Sequence, residues 1–424
     1  MIQFLIKGLW RDRTRSLFPF ITVAAGVMVT VVMQTYMAGI TSNMSWSSAS
    51  LSTGHVKVTS KAYAKEGDQA PNELAYAGVD KLLRELRLQA PELIWTPRIH
   101  FAGLLDIPDD KGQTRAQAPM VGLGIDLLSK DAVDRRILKL DSALVRGHIP
   151  ASHGEILVSD ELARQLDVGP GAKATLISST MFGGMATSNF TIAGTVRLGV
   201  RAMDRGTILA DVGDVQAALE MEDTAGEILG FFPDTLYRKQ AADSIANRFN
   251  GQWARIGGEF APTMVSMSNQ AGMTELLDYV GAVSVAIVAV FTFVMSIVLW
   301  NAGLIGTLRR YGEIGVRLAF GEDKGHLYRA MIVESLFIGF AGSVVGTGLA
   351  MGPSYWLQSR GFDVSSLMPN SSLMLNSVIR AQITVASLFI GFLPGLLATG
   401  IGTAISGAGI YKRQTASLIK ELEA

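Results

Sequence analysis

The sequence predicts an α-helical membrane protein with four transmembrane helices and a large α+β domain inserted between helices 1 and 2. Three observations lead to this fold class. Four apolar runs, each long enough to cross a bilayer, lie at 17–40, 273–308, 330–357 and 381–411. The stretch 41–272 instead carries charges, turn residues and short alternating segments, which indicate a folded water-exposed domain. The composition agrees, because 49% of residues are hydrophobic and 17% are charged.

The N-terminal segment 1–16 is amphipathic and basic, and the run 17–40 that follows it contains no charged residue. A cleaved signal peptide is the competing interpretation, but its apolar core would be only ~7–15 residues long and would end at a small-residue cleavage site. This run is longer, and Tyr36-Met37-Ala38-Gly39 near its end is a poor match to such a cleavage site. We therefore predict an uncleaved span. Basic residues before a first span place the N-terminus in the cytoplasm; here they are Lys7, Arg11, Arg13 and Arg15.

The domain 41–272 is predicted to be α+β and to lie outside the cytoplasmic membrane, because the first span starts inside. Its predicted strands are 55–59, 94–101, 119–125, 155–158, 174–178, 190–196, 207–210 and 227–232. Its predicted helices are 79–89, 127–138, 160–166, 212–219 and 236–249.

The second apolar run, 273–308, is longer than a bilayer requires, with Glu275 and Asp278 near its outer end. We expect it to begin above the membrane as a stalk or to tilt. The polar loop 309–329 follows it, and the short loop 358–380 separates the third and fourth spans. Basic residues concentrate in 309–329 and in the tail 412–424, which the positive-inside rule assigns to the cytoplasm.

The loop 309–329 also has a helical pattern. Ile314 and Leu318 share one face, whereas Glu313, Arg317 and Lys324 share another. A short amphipathic helix between two spans lies on the membrane surface or in a groove of a partner protein. The alternative is a surface loop that only joins two helices.

The third and fourth spans contain small residues at helical spacing, in Gly342-x-x-x-Gly346, Gly348-x-x-x-Gly352 and Gly391-x-x-x-Gly395. Such residues allow close helix contact, either within one subunit or between two subunits. Glu334 is an acid inside the third span, near its cytoplasmic end. It is a candidate proton or ion site, although it could instead reach the interface and pair with Arg329 or Arg317.

Several chemistries are excluded by composition and by missing motifs. The chain has no cysteine, and its five histidines are scattered, so neither thiol catalysis nor a metal site is predicted. Lys plus Arg equals Asp plus Glu, and no basic stripe suggests nucleic acid. The sequence contains no phosphate-binding loop, nucleophile elbow or zinc-protease motif. No catalytic site is therefore expected in this chain.

One segment of the external domain is unusual: 178–189 reads SSTMFGGMATSN between two predicted strands. Met181, Phe182 and Met185 are placed around a Gly-Gly tip, and methionine-rich surfaces suit adaptable apolar contacts. We interpret them as candidate substrate or partner contacts. The alternative is that the tip folds back on its own domain or touches the membrane.

The stretch GEIGVRLAFG and the arrangement of spans resemble the permease subunits of type VII ABC transporters, the family of MacB, FtsX and the LolC/LolE pair. Three further stretches are also similar to that family. They are LYRAMIVESLFIGFAGSVVG, which follows the loop, RGHIPASHGEILVSDELARQLDVGPGAKATLI with FTIAGTV in the external domain, and the tail YKRQTASLIKEL. In that family the loop forms a coupling helix that sits in a groove of the ATPase. The resemblance implies this coupling role for Glu313, Ile314, Gly315, Arg317, Leu318, Ala319, Phe320 and Gly321.

The resemblance implies a transport subunit rather than an enzyme. It would belong to an ATP-driven mechanotransmission transporter that extracts or exports lipoprotein, lipid or another amphiphilic substrate. ATP and Mg would bind to a separate ATPase, expected as a dimer, because this chain starts almost at its first span. Further implied partners are a second permease (itself or a paralogue), membrane lipid and, as an open option, a periplasmic acceptor. The implied location is the bacterial inner membrane, with the large domain in the periplasm.

Two stretches, Gly54-His55-Val56-Lys57-Val58 and Thr96-Pro97-Arg98-Ile99, look closer to the lipoprotein-releasing LolC/LolE branch. Three alternatives stay open. The chain could be an FtsX-like signalling permease that controls a periplasmic hydrolase, or a MacB-like drug or peptide efflux permease. It could also be an ion-coupled carrier that uses Glu334.

Overall fold

The computed structural model describes residues 13–66, 71–109, 111–254, 257–270, 273–308, 311–363 and 378–408. Most of the predicted basic segment 1–16, much of the loop 358–380 and the tail 412–424 lie outside this range. The described chain divides into two compact units. One contains the apolar helices, and the other is built mainly from Ser42–Asp278.

The helices are numbered in chain order over the described residues. They are α1 Arg13–Ser48, α2 Lys61–Lys65, α3 Val79–Gln89, α4 Val133–Ile137, α5 Leu140–Ala143, α6 Asp160–Gln165, α7 Arg201–Asp204, α8 Val212–Ala218, α9 Lys239–Trp253, α10 Met273–Leu308, α11 Tyr311–Ala319, α12 Lys324–Arg360, α13 Val385–Ile390 and α14 Thr399–Gly407. Two π-helical turns, Ala49–Thr53 and Leu393–Ala398, continue α1 and connect α13 to α14.

The strands are numbered in the same way. They are β1 Val56–Ser60, β2 Tyr76–Ala77, β3 Ile94–Pro108, β4 Thr114–Ile125, β5 Leu144–Gly147, β6 Glu155–Ser159, β7 Lys173–Ser179, β8 Met185–Val196, β9 Thr207–Asp211, β10 Thr224–Ala225, β11 Glu227–Phe231, β12 Pro262–Ser266, β13 Phe362–Asp363 and β14 Val378–Ile379.

The α+β unit is organised around β3, whose two halves pair with different strands. Its first half, Ile94–Arg98, pairs with β11 in an antiparallel sheet of order β12-β1-β11-β3. Its second half pairs with both β4 and β7. The pairings β3-β4-β9-β6-β8-β7 then return to β3 and close a six-stranded ring. One long strand therefore ties the small sheet to the ring.

Side chains alternate between the two faces of these strands, so the strands lie between two apolar layers. The inward-facing residues of the ring strands, such as Phe101, Leu105 and Leu176, belong to the main core, which α3 and α9 also join. A smaller core lies on the other face, where Leu123, Leu157 and Leu209 pack with Leu140.

One predicted helix of this unit is wrong over half its length. Residues 127–132 form a loop rather than the start of a helix, and only Val133–Ile137 is helical. The reason is local capping: the Asp126 carboxylate accepts hydrogen bonds from the Ser129 hydroxyl and the Val133 amide. Acidic side chains that bond nearby amides compete with helix formation in this way. The strand β12 was not predicted at all.

The other unit contains the apolar helices. Four helical stretches are long and apolar enough to cross a membrane: Leu17–Thr53, Asp278–Asn301, Lys324–Arg360 and Val385–Gly407. The fourth is not a continuous α-helix, because a π-helical turn, Leu393–Ala398, interrupts it and has Pro394 as its second residue. Proline removes one backbone donor from the helical ladder, which accounts for the irregularity at this point.

Two of the three glycine motifs pack inside the chain. A Cβ on Gly346 would lie 2.5 Å from the Ala24 carbonyl oxygen of α1, and one on Gly391 would lie 2.5 Å from Val27. Gly348 and Gly352 have nothing within 4 Å of the corresponding position. Close helix contact within one subunit therefore explains Gly342-x-x-x-Gly346 and Gly391-x-x-x-Gly395.

A buried histidine stands at the start of the α+β unit. His55 has no exposed surface, its Nδ1 accepts a hydrogen bond from the Phe232 amide (2.9 Å), and Trp46, Phe231 and Tyr237 surround its ring. Burial lowers the pKa of His55 to about 4, with smaller opposing effects of Asp234 and Arg238. The neutral imidazole is therefore the form that this site holds.

We expect Gly346→Ala to destabilise the chain by about 1–3 kcal/mol, because the new methyl group must displace the α1 backbone. Gly348→Ala is the matched control on the same helix, and we expect it to be neutral or slightly stabilising. Thermal unfolding of the two variants in one detergent measures the difference. Equal midpoints would contradict the packing described for Gly346.

We also expect a specific pH dependence from His55. Its pKa in the folded chain is below its ordinary value of 6.5, so the unfolded chain binds the extra proton first as the pH falls. The stabilisation is complete above pH 6.5 and is lost as the pH falls toward about 4. The difference between the two pKa values corresponds to about 3 kcal/mol of the free energy of unfolding. Thermal unfolding of wild type and His55→Phe between pH 7 and pH 4 measures this loss of stability. The melting temperature of the variant should fall less than that of wild type as the pH is lowered. Equal falls in the two proteins would contradict the prediction.

Candidate functional site

The segment between the second and third apolar helices is a separate short helix. Helix α11 spans Tyr311–Ala319, and the connection Phe320–Asp323 joins it to α12. The sequence pattern predicted this amphipathic helix within 309–329. Arg309 and Arg310 lie outside the described residues.

A glycine ends α11. Gly321 has φ +89°, a conformation that residues with a side chain rarely adopt. Its amide donates to the Leu318 carbonyl (3.0 Å), and the Glu322 amide donates to the Arg317 carbonyl (3.2 Å). This pair of bonds is the Schellman arrangement, which satisfies the last carbonyls of a helix. Gly321 is therefore required by the backbone path.

An aspartate begins the next helix. The Asp323 carboxylate accepts a hydrogen bond from the His326 amide (3.1 Å), which caps the N-terminus of α12. Since one helix ends in a fixed turn and the next begins at a capped residue, the connection is short and ordered by local bonds. The angle between α11 and α12 is set within these four residues.

The side chains of α11 differ sharply in exposure. Gly315 is buried and Leu318 is half-buried, whereas Arg317 and Ala319 are exposed. Phe320 is 89% exposed and Val316, one turn before it, is 41% exposed. Glu313 and Ile314 lie on this helix, but their side chains are outside the described part. Two apolar residues and a guanidinium thus share the open surface of the segment, which can dock into an apolar groove with acidic groups at its rim.

Val316 is an exposed apolar residue of this surface that the sequence prediction did not name. It was not among the predicted coupling residues, although its position four residues before Phe320 places both on one side of a helix. That spacing was the available signal.

The methionine-rich segment forms the tip of the β7–β8 hairpin. Gly183 has φ +82°, and the Thr180 amide donates to the Gly184 carbonyl (2.7 Å), so the tip is a defined turn. The three candidate contact residues do not point the same way. Met181 packs against the main core, whereas Phe182 and Met185 are 77% and 81% exposed. The accessible apolar surface of this tip is therefore Phe182 with Met185.

Glu334 lies ten residues into α12 and is half-buried. At a rise of ~1.5 Å per residue it is roughly 15 Å along the helix from Lys324. Among the described residues no group of three or more histidine, cysteine, aspartate or glutamate side chains could hold a metal ion.

Comparison with known proteins points to the same region. Residues 285–415 match the family model described as "FtsX-like permease C-terminal". The macrolide export ATP-binding/permease protein MacB of Vibrio parahaemolyticus is 31% identical over 111 residues, which are 26% of this chain and 16% of that protein. The chain thus matches well under two thirds of that relative's length.

A solved structure, the periplasmic region of MacB from Actinobacillus actinomycetemcomitans, is similar at 11% identity over 55% of this chain and 95% of that one. The TM-score is 0.36, which is below the level that indicates a shared fold. The sequence match is the informative one. The segment 285–415, which contains α11 and the exposed Val316 and Phe320, is therefore similar to the C-terminal part of FtsX-like permeases.

Proposed function

We propose that the chain is a permease subunit of an ATP-driven ABC transporter and that α11 is its coupling helix. The observation that carries the proposal is the exposed apolar surface formed by Val316 on α11 and by Phe320 directly after it, which is 89% exposed. Both lie inside the segment that matches the FtsX-like permease model. Such a surface is stabilised when a partner groove covers it. ATP and Mg would bind to the partner ATPase, which we expect as a dimer.

The proposed topology has both termini and α11 in the cytoplasm and the α+β domain in the periplasm, between the first and second spans of the inner membrane. The concentration of basic residues around 309–329 supports it. We propose that nucleotide-driven movement of the ATPases is passed through the spans to the periplasmic domain. Substrate would then be moved without crossing through the subunit.

A second permease subunit or membrane lipid would cover the second apolar helix. In its apolar stretch 11% of the residues are buried within the chain, against 33–39% in the other three. An apolar helix with so little cover needs an apolar environment around it. The second subunit would be this chain or a paralogue.

For the substrate we favour a lipoprotein, a lipid or another amphiphile, as in the LolC/LolE branch. The accessible hairpin pair Phe182 and Met185 supports an apolar or amphiphilic ligand or a periplasmic acceptor, because both side chains are exposed on an ordered turn. Efflux of a drug or peptide is the second candidate. It is supported by the similarity to a protein named as a macrolide exporter.

We expect Val316→Asp/Phe320→Asp to abolish co-purification of the ATPase, since two carboxylates would face an apolar groove. The measurement is a pull-down of the tagged chain in mild detergent, with ATP hydrolysis assayed on the eluate. Leu88→Asp, at an exposed position of α3, is the matched control and should leave the yield unchanged. An ATPase that binds the α11 variant as well as wild type, or that is absent from the wild-type eluate, would contradict the proposal.

We expect Phe182→Ser/Met185→Ser to lower the yield of co-eluting lipid or protein from the periplasmic side about tenfold without lowering the melting temperature, because both side chains are exposed. Met181→Ser should instead lower the melting temperature, because Met181 packs on the core. Mass spectrometry of the eluates and circular-dichroism melts separate the two effects. If co-elution is unchanged, the hairpin is not a contact site.

A further inference from the structure

The outer end of α1 passes directly into the sheet of the α+β unit. The π-helical turn Ala49–Thr53 continues α1, and Gly54 ends it with φ +58°. A Cβ at Gly54 would lie 2.6 Å from the Val56 carbonyl oxygen, so the sharp exit needs a glycine. Strand β1 begins two residues later, at Val56. There is no flexible linker at this point of the chain.

Arg98 binds the end of that helix from the sheet. Its Nη1 donates to the carbonyls of Ser50 (2.7 Å) and Leu51 (3.2 Å). These are carbonyls of the last helical turn, where helices need donors and where their dipole favours a cation. Arg98 lies on β3, at the junction of the small sheet and the ring, and it has no exposed surface.

The other side of the guanidinium is held by Asp134. Arg98 Nε and Nη2 donate to the same carboxylate oxygen at 3.1 Å and 2.5 Å. The second oxygen of Asp134 accepts from the Thr96 hydroxyl (2.6 Å) and the Asp126 amide (3.2 Å). Because both ions are fully buried and multiply bonded, opening the pair would leave charges without partners, which is strongly unfavourable.

The start of the second apolar helix is fixed at the same place. Gln270 Nε2 donates to the Thr53 carbonyl at 2.9 Å. Met273, the first residue of α10, packs with Trp46 of α1 against an apolar cluster of Ala49, Leu229, Phe231 and Met267. The outer ends of both helices are therefore attached to one patch of the sheet.

We propose that Arg98, oriented by Asp134, is the positioning residue that makes the outer end of α1 and the β1–β11–β3 sheet one rigid body. This inference rests on the proposed function, and it names the joint at which movement of a span would reach the periplasmic domain. Two stretches meet at this joint, Gly54–Val58 and Thr96–Ile99, and they are the ones that resemble the LolC/LolE branch in sequence. Their shared role is mechanical attachment of helix to sheet.

The test is a distance distribution between spin labels on Met44→Cys, a half-buried position at the outer end of α1, and Leu88→Cys, an exposed position in α3, measured on the full chain in nanodiscs. The chain has no cysteine, so the labels are unique. We expect a narrow distribution in wild type. Arg98→Met should broaden it at least about twofold, since a buried joint that opens locally gains mobility.

Two milder variants replace Arg98→Met in this test if circular dichroism shows that Arg98→Met folds poorly. Thr96→Val removes one bond to Asp134, and Arg98→Lys keeps the charge but loses the planar fork, so both should broaden the distribution less. The matched control is Arg135→Met, because the Arg135–Asp141 pair (2.6 Å) is exposed and should leave the width unchanged.

A broad wild-type distribution, or joint variants as narrow as wild type, would overturn the inference. ATP hydrolysis by the co-purified complex is measured in parallel. We expect Arg98→Met to retain it within about twofold, because Arg98 and α11 belong to different compact units of the chain. Loss of the ATPase from the wild-type complex would overturn the proposed function while leaving the distance measurement valid. The two failures are thus distinguishable.

Discussion

Contact between helix backbones at glycine positions holds the membrane unit together. In a bilayer no hydrophobic driving force brings helices together, so they associate through close packing and a few hydrogen bonds. Helix α1 packs closely against α12 at Gly342 and Gly346. Gly339 of α12 lies against the Gly395 carbonyl in the fourth apolar segment. These contacts make α1, α12 and the fourth segment a packed group.

Hydroxyl groups reinforce the same interfaces. Thr35 of α1 and Ser354 of α12 are hydrogen-bonded at 3.0 Å, and the Tyr328 hydroxyl donates to the Ala404 carbonyl. Helix α10 is less covered: among the described side chains of its apolar stretch Thr292 and Leu299 are buried, and Trp300 lies against Gly402. A helix with so little cover along its apolar stretch is suited to bind another subunit.

The small sheet of the α+β unit concentrates buried charge. Glu227 on β11 is paired with Lys57 on β1 at 2.7 Å, and His100 on β3 lies 3.5 Å from its other oxygen. Burial alone would raise the pKa of Glu227, but Lys57 and His100 more than offset it and hold the pKa at about 2. Together with Arg98 and Asp134, these pairs favour one arrangement of β1, β11 and β3.

The sequence by itself determined the four apolar helices and the amphipathic segment α11, because span length, charge and helical period are local properties of the chain. The strands near 155–159 and 207–211 were also predictable from local alternation. Only the tertiary structure decided which glycines pack, since Gly346 and Gly348 differ only in the face they present. It also decided that Met181 turns inward while Phe182 and Met185 project. The Arg98–Asp134 pair joins residues 36 positions apart, and no local pattern encodes such a contact because it depends on how β3 bends between two sheets.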